Sequence, residues 1–201
     1  GLFLETAVFA AVALLLGTLG AIAAAAHQVT LNVAAMTFMI PLGLSMATTV
    51  RVGHALGRGD LGAARFSGFT GIGLSGLFMA AMALLIFTGH QTIAHLYTDD
   101  LAVIRVAAGL LQLAALFQIS DGLQVGALGA LRGLQDTRWP MLIVLVAYWW
   151  IAFPLAWLLG VHWGWGPEGP WIGLIAGLTT AAILLNLRFW RLSARLGSRS
   201  P

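Results

Sequence analysis

The chain has 201 residues, of which 60% are hydrophobic and only 8% are charged, and its formal net charge is +3. A soluble domain usually carries about a quarter charged residues, so this chain has too few to cover a water-exposed fold, and its composition predicts a membrane protein. Its arginines lie at the ends of apolar segments rather than on one continuous face, which argues against nucleic-acid binding, and the lack of cysteine excludes disulfides.

Six continuous apolar segments follow one another along the chain, and most reach the roughly 20 residues that a helix needs to cross the hydrocarbon core. They cover residues 1–16, 28–50, 66–88, 103–131, 139–161 and 171–187. Because the segments are continuous rather than alternating, a membrane β-barrel is disfavoured. We predict an all-α, polytopic membrane helix bundle of six transmembrane helices in residues 1–191, followed by a basic cytoplasmic tail in residues 192–201.

The first segment contains a single acidic residue, Glu5. An acid near the centre of a bilayer costs roughly 2.5–3.5 kcal/mol on insertion scales, and such residues usually face a bundle interior or a wet cavity. Glu5 is therefore a candidate functional residue. The segment is short and already apolar at its first residue, so we expect the chain to be part of a longer protein.

The second segment carries two amides, Gln28 and Asn32, one turn apart on one helix face. Their oxygens could complete a polar cavity. Pro41 interrupts the same segment and Pro154 interrupts the fifth. A proline frees a backbone carbonyl and permits a bend in a membrane helix, so each is either a structural kink or a moving hinge.

The fourth segment contains the second lone acid, Asp121, with Gln118 and Gln124 three residues to either side. This spacing predicts a polar stripe on one helix face. At 1.5 Å per residue, Glu5 lies about 22 Å and Asp121 about 24 Å from the same side of the membrane, so both acids are expected at one level. Gly122, Gly126 and Gly129 in this segment indicate close helix packing.

Carboxylates supported by amide oxygens suit a hard monovalent cation or a proton. We therefore predict a site for Na+ or H+ at Glu5 and Asp121. The alternative is that each acid pairs with an arginine or caps a backbone group. No arginine lies at a matching depth in these two segments, which weakens that alternative.

Arginines are distributed unevenly between the two sides of the predicted bundle. Nine of the ten fall in the second connection, the fourth connection and the C-terminal region: Arg51, Arg58, Arg65, Arg132, Arg138, Arg188, Arg191, Arg195 and Arg199. The positive-inside rule then places these regions, and the C-terminus, in the cytoplasm. Tryptophans near segment ends fit an aromatic belt: Trp139, Trp163, Trp165, Trp171 and Trp190.

Other chemistries receive little support. The five histidines are expected in loops or at helix ends, without a pair of ligands on one helix: His27, His54, His90, His95 and His162. The Gly-rich stretch HALGRGDLGAARF lacks the spacing and the Lys-Ser/Thr ending of an ATP-binding loop, and a connector touching lipid headgroups is the simpler interpretation. No nucleophile and base arrangement stands out, so an enzyme is not expected.

Three stretches of the chain resemble the MATE (multidrug and toxic compound extrusion) transporters, most closely their NorM-type branch. In chain order they are FLETAVFAAVALLLG, AAHQVTLNVAAMTFMIPLGLSMATTVRVGHALGRGDLGAAR and FQISDGLQVGALGALRGLQDTRWPM, which are similar to the seventh, eighth and tenth helices of that family. The resemblance implies a twelve-helix transporter of two six-helix lobes around a cavity. This chain would be the C-terminal lobe, with the N-terminal lobe as its missing partner.

The resemblance also implies roles for particular residues. Glu5 and Asp121 match the acids of the family's C-lobe cation site. One turn before Asp121, where the family often has a tyrosine, this chain has Phe117, which offers no oxygen ligand. Coupling to Na+ and coupling to H+ therefore both stay open.

The function implied is efflux of drugs and other organic cations across the bacterial inner membrane, driven by antiport of Na+ or H+ and requiring no other cofactor. Two alternatives remain. A flippase for lipid-linked precursors in the same superfamily would be expected to line its cavity with cationic residues. A non-transporting membrane scaffold would tolerate the loss of both acids.

Overall fold

The computed structural model describes residues 2–197, and these form six helices with no strand among them. The helices are α1 (Leu2–Thr18), α2 (Ala21–Gly57), α3 (Leu61–Tyr97), α4 (Leu101–Gly133), α5 (Arg138–His162) and α6 (Glu168–Gly197). Helices α2 to α6 are each long and apolar enough to cross a membrane, and α1 is a shorter apolar helix. The prediction of an all-α membrane bundle is confirmed.

The helices extend well beyond the predicted apolar segments. Helices α2 and α3 have 37 residues each, so most of the predicted connection after residue 50 is helical. Hydropathy marks only the part of a helix that meets lipid, whereas Ala-rich flanks continue the helix because alanine has the highest helix propensity.

Two helices begin at an aspartate that caps the first turn. Asp60 Oδ1 accepts a hydrogen bond from the Ala63 amide, and Asp100 Oδ1 accepts one from the Ala102 amide, each at 2.9 Å.

The last helix also continues past its predicted end. Helix α6 runs to Gly197, so the first residues of the predicted tail are helical, and the Ser193 side chain is buried. Arg195 lies in the last turn of α6. Residues 198–201, including Arg199, lie outside the described residues.

Helix α4 is the centre of the bundle and packs against α2, α3 and α6. Its glycines allow this approach. A Cβ added at Gly126 would lie 2.9 Å from Ile72 Cα on α3, and one added at Gly129 would lie 2.5 Å from the Ser45 carbonyl oxygen on α2. A Cβ at Gly122 would also collide with α3. The expected close packing is confirmed.

Helix α5 is continuous but irregular. Two π-helical segments, Ala147–Ala152 and Leu158–His162, flank Pro154. Proline has no amide hydrogen to donate, and wider π turns accommodate such interruptions. Pro41 is buried inside α2, which passes through it without a break. Both prolines lie within helices as predicted, and their role as hinges stays a prediction.

A buried polar pair joins α2 to α6. The indole Nε1 of Trp171 donates a hydrogen bond to His27 Nδ1 at 3.2 Å. The two side chains are 0% and 2% exposed, respectively. The prediction of a belt tryptophan at 171 is therefore wrong, and His27, expected in a loop or at a helix end, is instead buried near the beginning of α2. The reason is that α2 begins at Ala21, which places His27 in its second turn, facing the bundle. His90 likewise lies inside α3 rather than in a loop.

Trp171→Phe is expected to lower the free energy of unfolding by about 1–3 kcal/mol, because it leaves a buried imidazole nitrogen without its donor. Chemical unfolding of the purified protein in detergent would measure this. Trp163→Phe is the matched control, since Trp163 is 57% exposed. An equal loss in both variants would contradict a stabilising role for the Trp171–His27 bond.

Candidate functional site

A cavity of about 370 Å³ lies between α1, α2, α4 and α5 and contains both lone acids. Ten residues line it: Glu5, Thr6 and Phe9 from α1, Leu31, Ala34, Ala35 and Phe38 from α2, Phe117 and Asp121 from α4, and Tyr148 from α5. The prediction that Glu5 and Asp121 come together therefore agrees with the fold. No basic residue is among the lining side chains.

Glu5 is tied to α4 and α5 through one amide. Gln124 Nε2 donates a hydrogen bond to Glu5 Oε1 at 3.1 Å. The same amide exchanges hydrogen bonds with the Tyr148 hydroxyl, which lies 2.7 Å from Gln124 Nε2 and 3.0 Å from Gln124 Oε1. Three helices thus meet at a carboxylate, an amide and a phenol.

Asp121 lies one helical turn before Gln124 and faces the same cavity. Within residues 2–197 its carboxyl group has no hydrogen-bond or ion-pair partner, and it interacts electrostatically with Glu5. Arg132, exposed at the end of α4, acts on Glu5 only at longer range. The alternative in which each acid is neutralised by an arginine finds no support in this part of the chain.

The two carboxyl groups repel each other when both are charged. A bound cation or a proton would relieve that repulsion, since oxygen ligands suit hard cations. The cavity offers carboxylate oxygens from Glu5 and Asp121 and a phenol oxygen from Tyr148 beside them. Among the described residues, no cluster of three or more His, Cys, Asp or Glu side chains suits a transition metal.

The two amides that flank Asp121 on α4, Gln118 and Gln124, have different partners. Gln124 contacts Glu5, as described above. Gln118 is fully buried, and its Oε1 accepts a hydrogen bond from Thr37 Oγ1 on α2 at 2.9 Å. Gln118 Nε2 has no partner among the described residues. Gln118 thus braces α4 against α2 next to the cavity without lining it.

Gln28 and Asn32 lie outside the cavity, contrary to prediction. Both are exposed, and Asn32 Oδ1 accepts a hydrogen bond from the Tyr97 hydroxyl on α3 at 2.7 Å. The face of α2 that lines the cavity carries Leu31, Ala34 and Phe38 at helical spacing instead. The amide pair was correctly placed on one face, but that face points away from the acids.

Phe117 contributes ring surface to the cavity rather than a ligand. Its ring packs edge-on against Phe9 at 6.0 Å and against Trp171 at 5.5 Å, measured between centroids. With Phe38 it gives the cavity aromatic walls. Such walls attract organic cations through the ring faces.

Tyr148 is a hydrogen-bonding residue of the site that the sequence analysis missed. It is 1% exposed and lies in the first π-helical segment of α5. A lone hydroxyl in the apolar stretch AYWWIA, in a chain with only two tyrosines, was the available signal. Tyr148 continues the buried face of Pro140 and Val144 at four-residue spacing, but spacing alone does not show which face of α5 meets the cavity.

Comparison with known proteins gives a consistent picture. The MatE family model matches residues 1–158. The chain is 51% identical over 195 residues to the "Probable multidrug resistance protein NorM" of Xanthomonas axonopodis pv. citri, covering 96% of this chain and 42% of that protein. It is 47% identical over 190 residues to the "Multidrug resistance protein NorM" of Burkholderia vietnamiensis, covering 92% of this chain and 41% of that protein.

Solved structures share the fold. The outward-facing conformation of a multidrug resistance MATE family transporter of the MOP superfamily superposes with a TM-score of 0.89 at 17% identity, over 98% of this chain and 44% of that one. The chain therefore spans less than half the length of the proteins that it matches.

Proposed function

Because this chain belongs to the MATE family, we propose that it forms one six-helix lobe of a cation-coupled multidrug antiporter. The remaining lobe would come from the rest of a longer protein in the bacterial inner membrane. The substrates would be amphipathic organic cations, and the coupling ion Na+ or H+. The relatives are named as multidrug resistance proteins, which supports transport rather than enzymatic catalysis.

One observation carries the proposal: Glu5 and Asp121 line a single cavity without a basic side chain to neutralise them. A membrane protein that only needs to fold gains nothing from two acids at one depth. The amide of Gln124, itself held by the phenol of Tyr148, donates a hydrogen bond to Glu5. Asp121 is left open to a cation from the cavity.

The coupling follows because the coupling ion and a cationic drug would compete for the negative charge of the two carboxyl groups. A cation or proton at Glu5 and Asp121 would stabilise the conformation that releases drug, and a cationic drug would favour the other. Exchange of the two would be driven by their differential affinity for the two states. Rocking of two lobes around a central site is the usual form of such a change.

The two alternatives fit the cavity less well. A flippase for an anionic lipid-linked precursor needs cationic side chains where the headgroup binds, whereas this cavity is lined by two acids. A scaffold has no use for an unpartnered carboxyl group such as that of Asp121, since its burial is costly.

The test is efflux of a fluorescent cationic dye from proteoliposomes containing the full-length protein, with Na+ and pH gradients imposed separately. We expect efflux against a dye gradient, and the gradient that supports it identifies the coupling ion. Efflux under neither gradient would overturn the proposed antiport.

Gln124→Leu is expected to reduce the apparent affinity for the coupling cation about tenfold, since a hydrogen bond to a charged group contributes about 1.5–3 kcal/mol. The cation dependence of dye efflux measures this. Gln112→Leu is the matched control, because Gln112 lies on the same helix and its amide is 3.4 Å from His90 Nε2, away from the acids. Equal affinities in the two variants would show that Gln124 does not position Glu5.

A further inference from the structure

Two further cavities lie between the end of α2 and the beginning of α3, on the side of the bundle predicted to be cytoplasmic. One, of about 300 Å³, is lined by Arg51, His54 and Arg58. The other, of about 390 Å³, is lined mainly by apolar side chains, including Leu44 and Leu74. Arg51, Phe66 and Ser67 line both, so the two cavities form one continuous groove, called here the basic groove.

The charged end of the basic groove is available for an anion. Arg51 and His54 lie on α2 and Arg58 is its C-cap, and the three follow one another at helical spacing. Within the described part of the chain, neither arginine makes an ion pair. No acidic side chain lines the groove. The neighbouring acid, Asp60, is engaged in capping α3 through the Ala63 amide.

The other end of the groove is mainly apolar. Phe66 is 74% exposed and Leu74 is 48% exposed, so both present apolar surface to a ligand. Thr48 and Gly71 form the floor, where α2 and α3 touch: a Cβ at Gly71 would collide with Thr48 Oγ1. The groove therefore has a polar, cationic end and an apolar trough.

The length of the groove matches one leaflet of a membrane. Leu44 on α2 and Arg58 at the C-cap of that helix are fourteen positions apart, which corresponds to about 21 Å at 1.5 Å per residue. One leaflet including its headgroups is about 20–22 Å thick. A lipid aligned with the bilayer would therefore place its phosphate at the arginines and its acyl chain along the trough.

We propose that the basic groove binds one anionic phospholipid, with the phosphate at Arg51 and Arg58 and an acyl chain against Leu44, Phe66 and Leu74. A neutral lipid would lack the charge that two unpaired arginines attract. An apolar helix of another protein segment would fill the trough but leave the arginines without a counter-charge. The site is separate from the acid-lined cavity and does not depend on the proposed transport function.

A contrasting basic surface lies between α5 and α6. There Arg188 Nε donates to Asp136 Oδ2 at 2.8 Å, so part of the charge is already neutralised within the chain. Arg138 and Arg191 are exposed on the same predicted side of the membrane. They provide a control for general attraction of anionic lipid to basic side chains.

The experiment is native mass spectrometry of the delipidated full-length protein titrated with dioleoyl phosphatidylglycerol or dioleoyl phosphatidylcholine. We expect one tightly retained phosphatidylglycerol, with at least about tenfold preference over phosphatidylcholine. Arg51→Gln with Arg58→Gln should weaken that binding about tenfold or more, since both charges that attract the phosphate are removed. Arg138→Gln with Arg191→Gln should leave it unchanged.

Two further measurements test whether the ligand is a lipid and whether the apolar trough holds its acyl chain. Ala47→Trp, which fills the apolar end of the groove without removing charge, should also displace phosphatidylglycerol. Inorganic phosphate should not compete for the site. Any one of four results would overturn the proposal. These are equal retention of the two lipids, equal losses of binding in the two arginine double variants, unchanged binding in Ala47→Trp, and competition by inorganic phosphate alone. Lipid retention is read without any transport measurement, so it stands or falls separately from the antiport.

Discussion

Asp121→Asn is expected to abolish gradient-driven dye efflux while leaving the amount of folded protein in the membrane unchanged. The substitution preserves the shape of the side chain but removes its negative charge from a cavity that contains only one other acid. Loss of a charged contact of about 1.5–3 kcal/mol lowers affinity for a coupling cation by about ten- to a hundredfold. A proton-coupled protein would lose its exchangeable proton at this position altogether.

The control for Asp121→Asn is the same substitution at Asp99, which is exposed between α3 and α4. We expect Asp99→Asn to transport as the wild type does. Both variants would be run side by side in proteoliposomes, with folding checked by size-exclusion elution in detergent. Full coupled efflux by Asp121→Asn would remove the carboxyl group from the mechanism and favour a structural role for both acids.

Gly129→Ala is expected to destabilise the bundle by about 1–3 kcal/mol, the usual cost of overpacking a well-packed core. The added methyl group would lie 2.5 Å from both the carbonyl oxygen and the hydroxyl of Ser45. It would also disturb the hydrogen bond that Thr49 Oγ1 donates to the Gly129 carbonyl at 2.9 Å. Helices α2 and α4 would have to separate to make room.

Gly43→Ala is the matched substitution with the opposite expected sign. Gly43 lies inside α2, and a Cβ there would have no neighbour within 4 Å. Glycine inside a helix costs roughly 0.5–1 kcal/mol relative to alanine, so this variant should be as stable as the wild type or slightly more stable. Denaturant unfolding in detergent compares the two. If Gly129→Ala were equally stable, the observed helix contact would be adaptable rather than tight.

The sequence predicted the parts of this protein that depend on hydropathy and on isolated residues. Continuous apolar segments predict membrane helices, and a carboxyl group within one is conspicuous because its burial is costly. Glu5, Asp121 and Gln124 were found in this way, and they share one site. The cavity itself also follows from the expectation that both acids lie at one depth.

The sequence could not show which way an individual helix faces. Gln28 and Asn32 lie on one face of α2, but hydropathy does not distinguish a lipid-exposed amide from one beside a cavity. Tyr148 was missed because the sequence does not show which face of α5 meets the cavity. The pairing of His27 with Trp171 joins residues far apart in the chain, and neither belongs to a recognisable local pattern.

The packing of the two acid-bearing helices gives the cavity one stiff wall and one compliant wall. Asp121 stands on α4, which is wedged between three neighbours with backbone-to-backbone contact at its glycines. Glu5 stands on α1, where the buried side chains among residues 3–18 form the single stripe of Val8, Val12 and Leu16. We therefore expect a force between the two carboxyl groups to displace α1 more readily than α4, because α1 packs less extensively within this bundle.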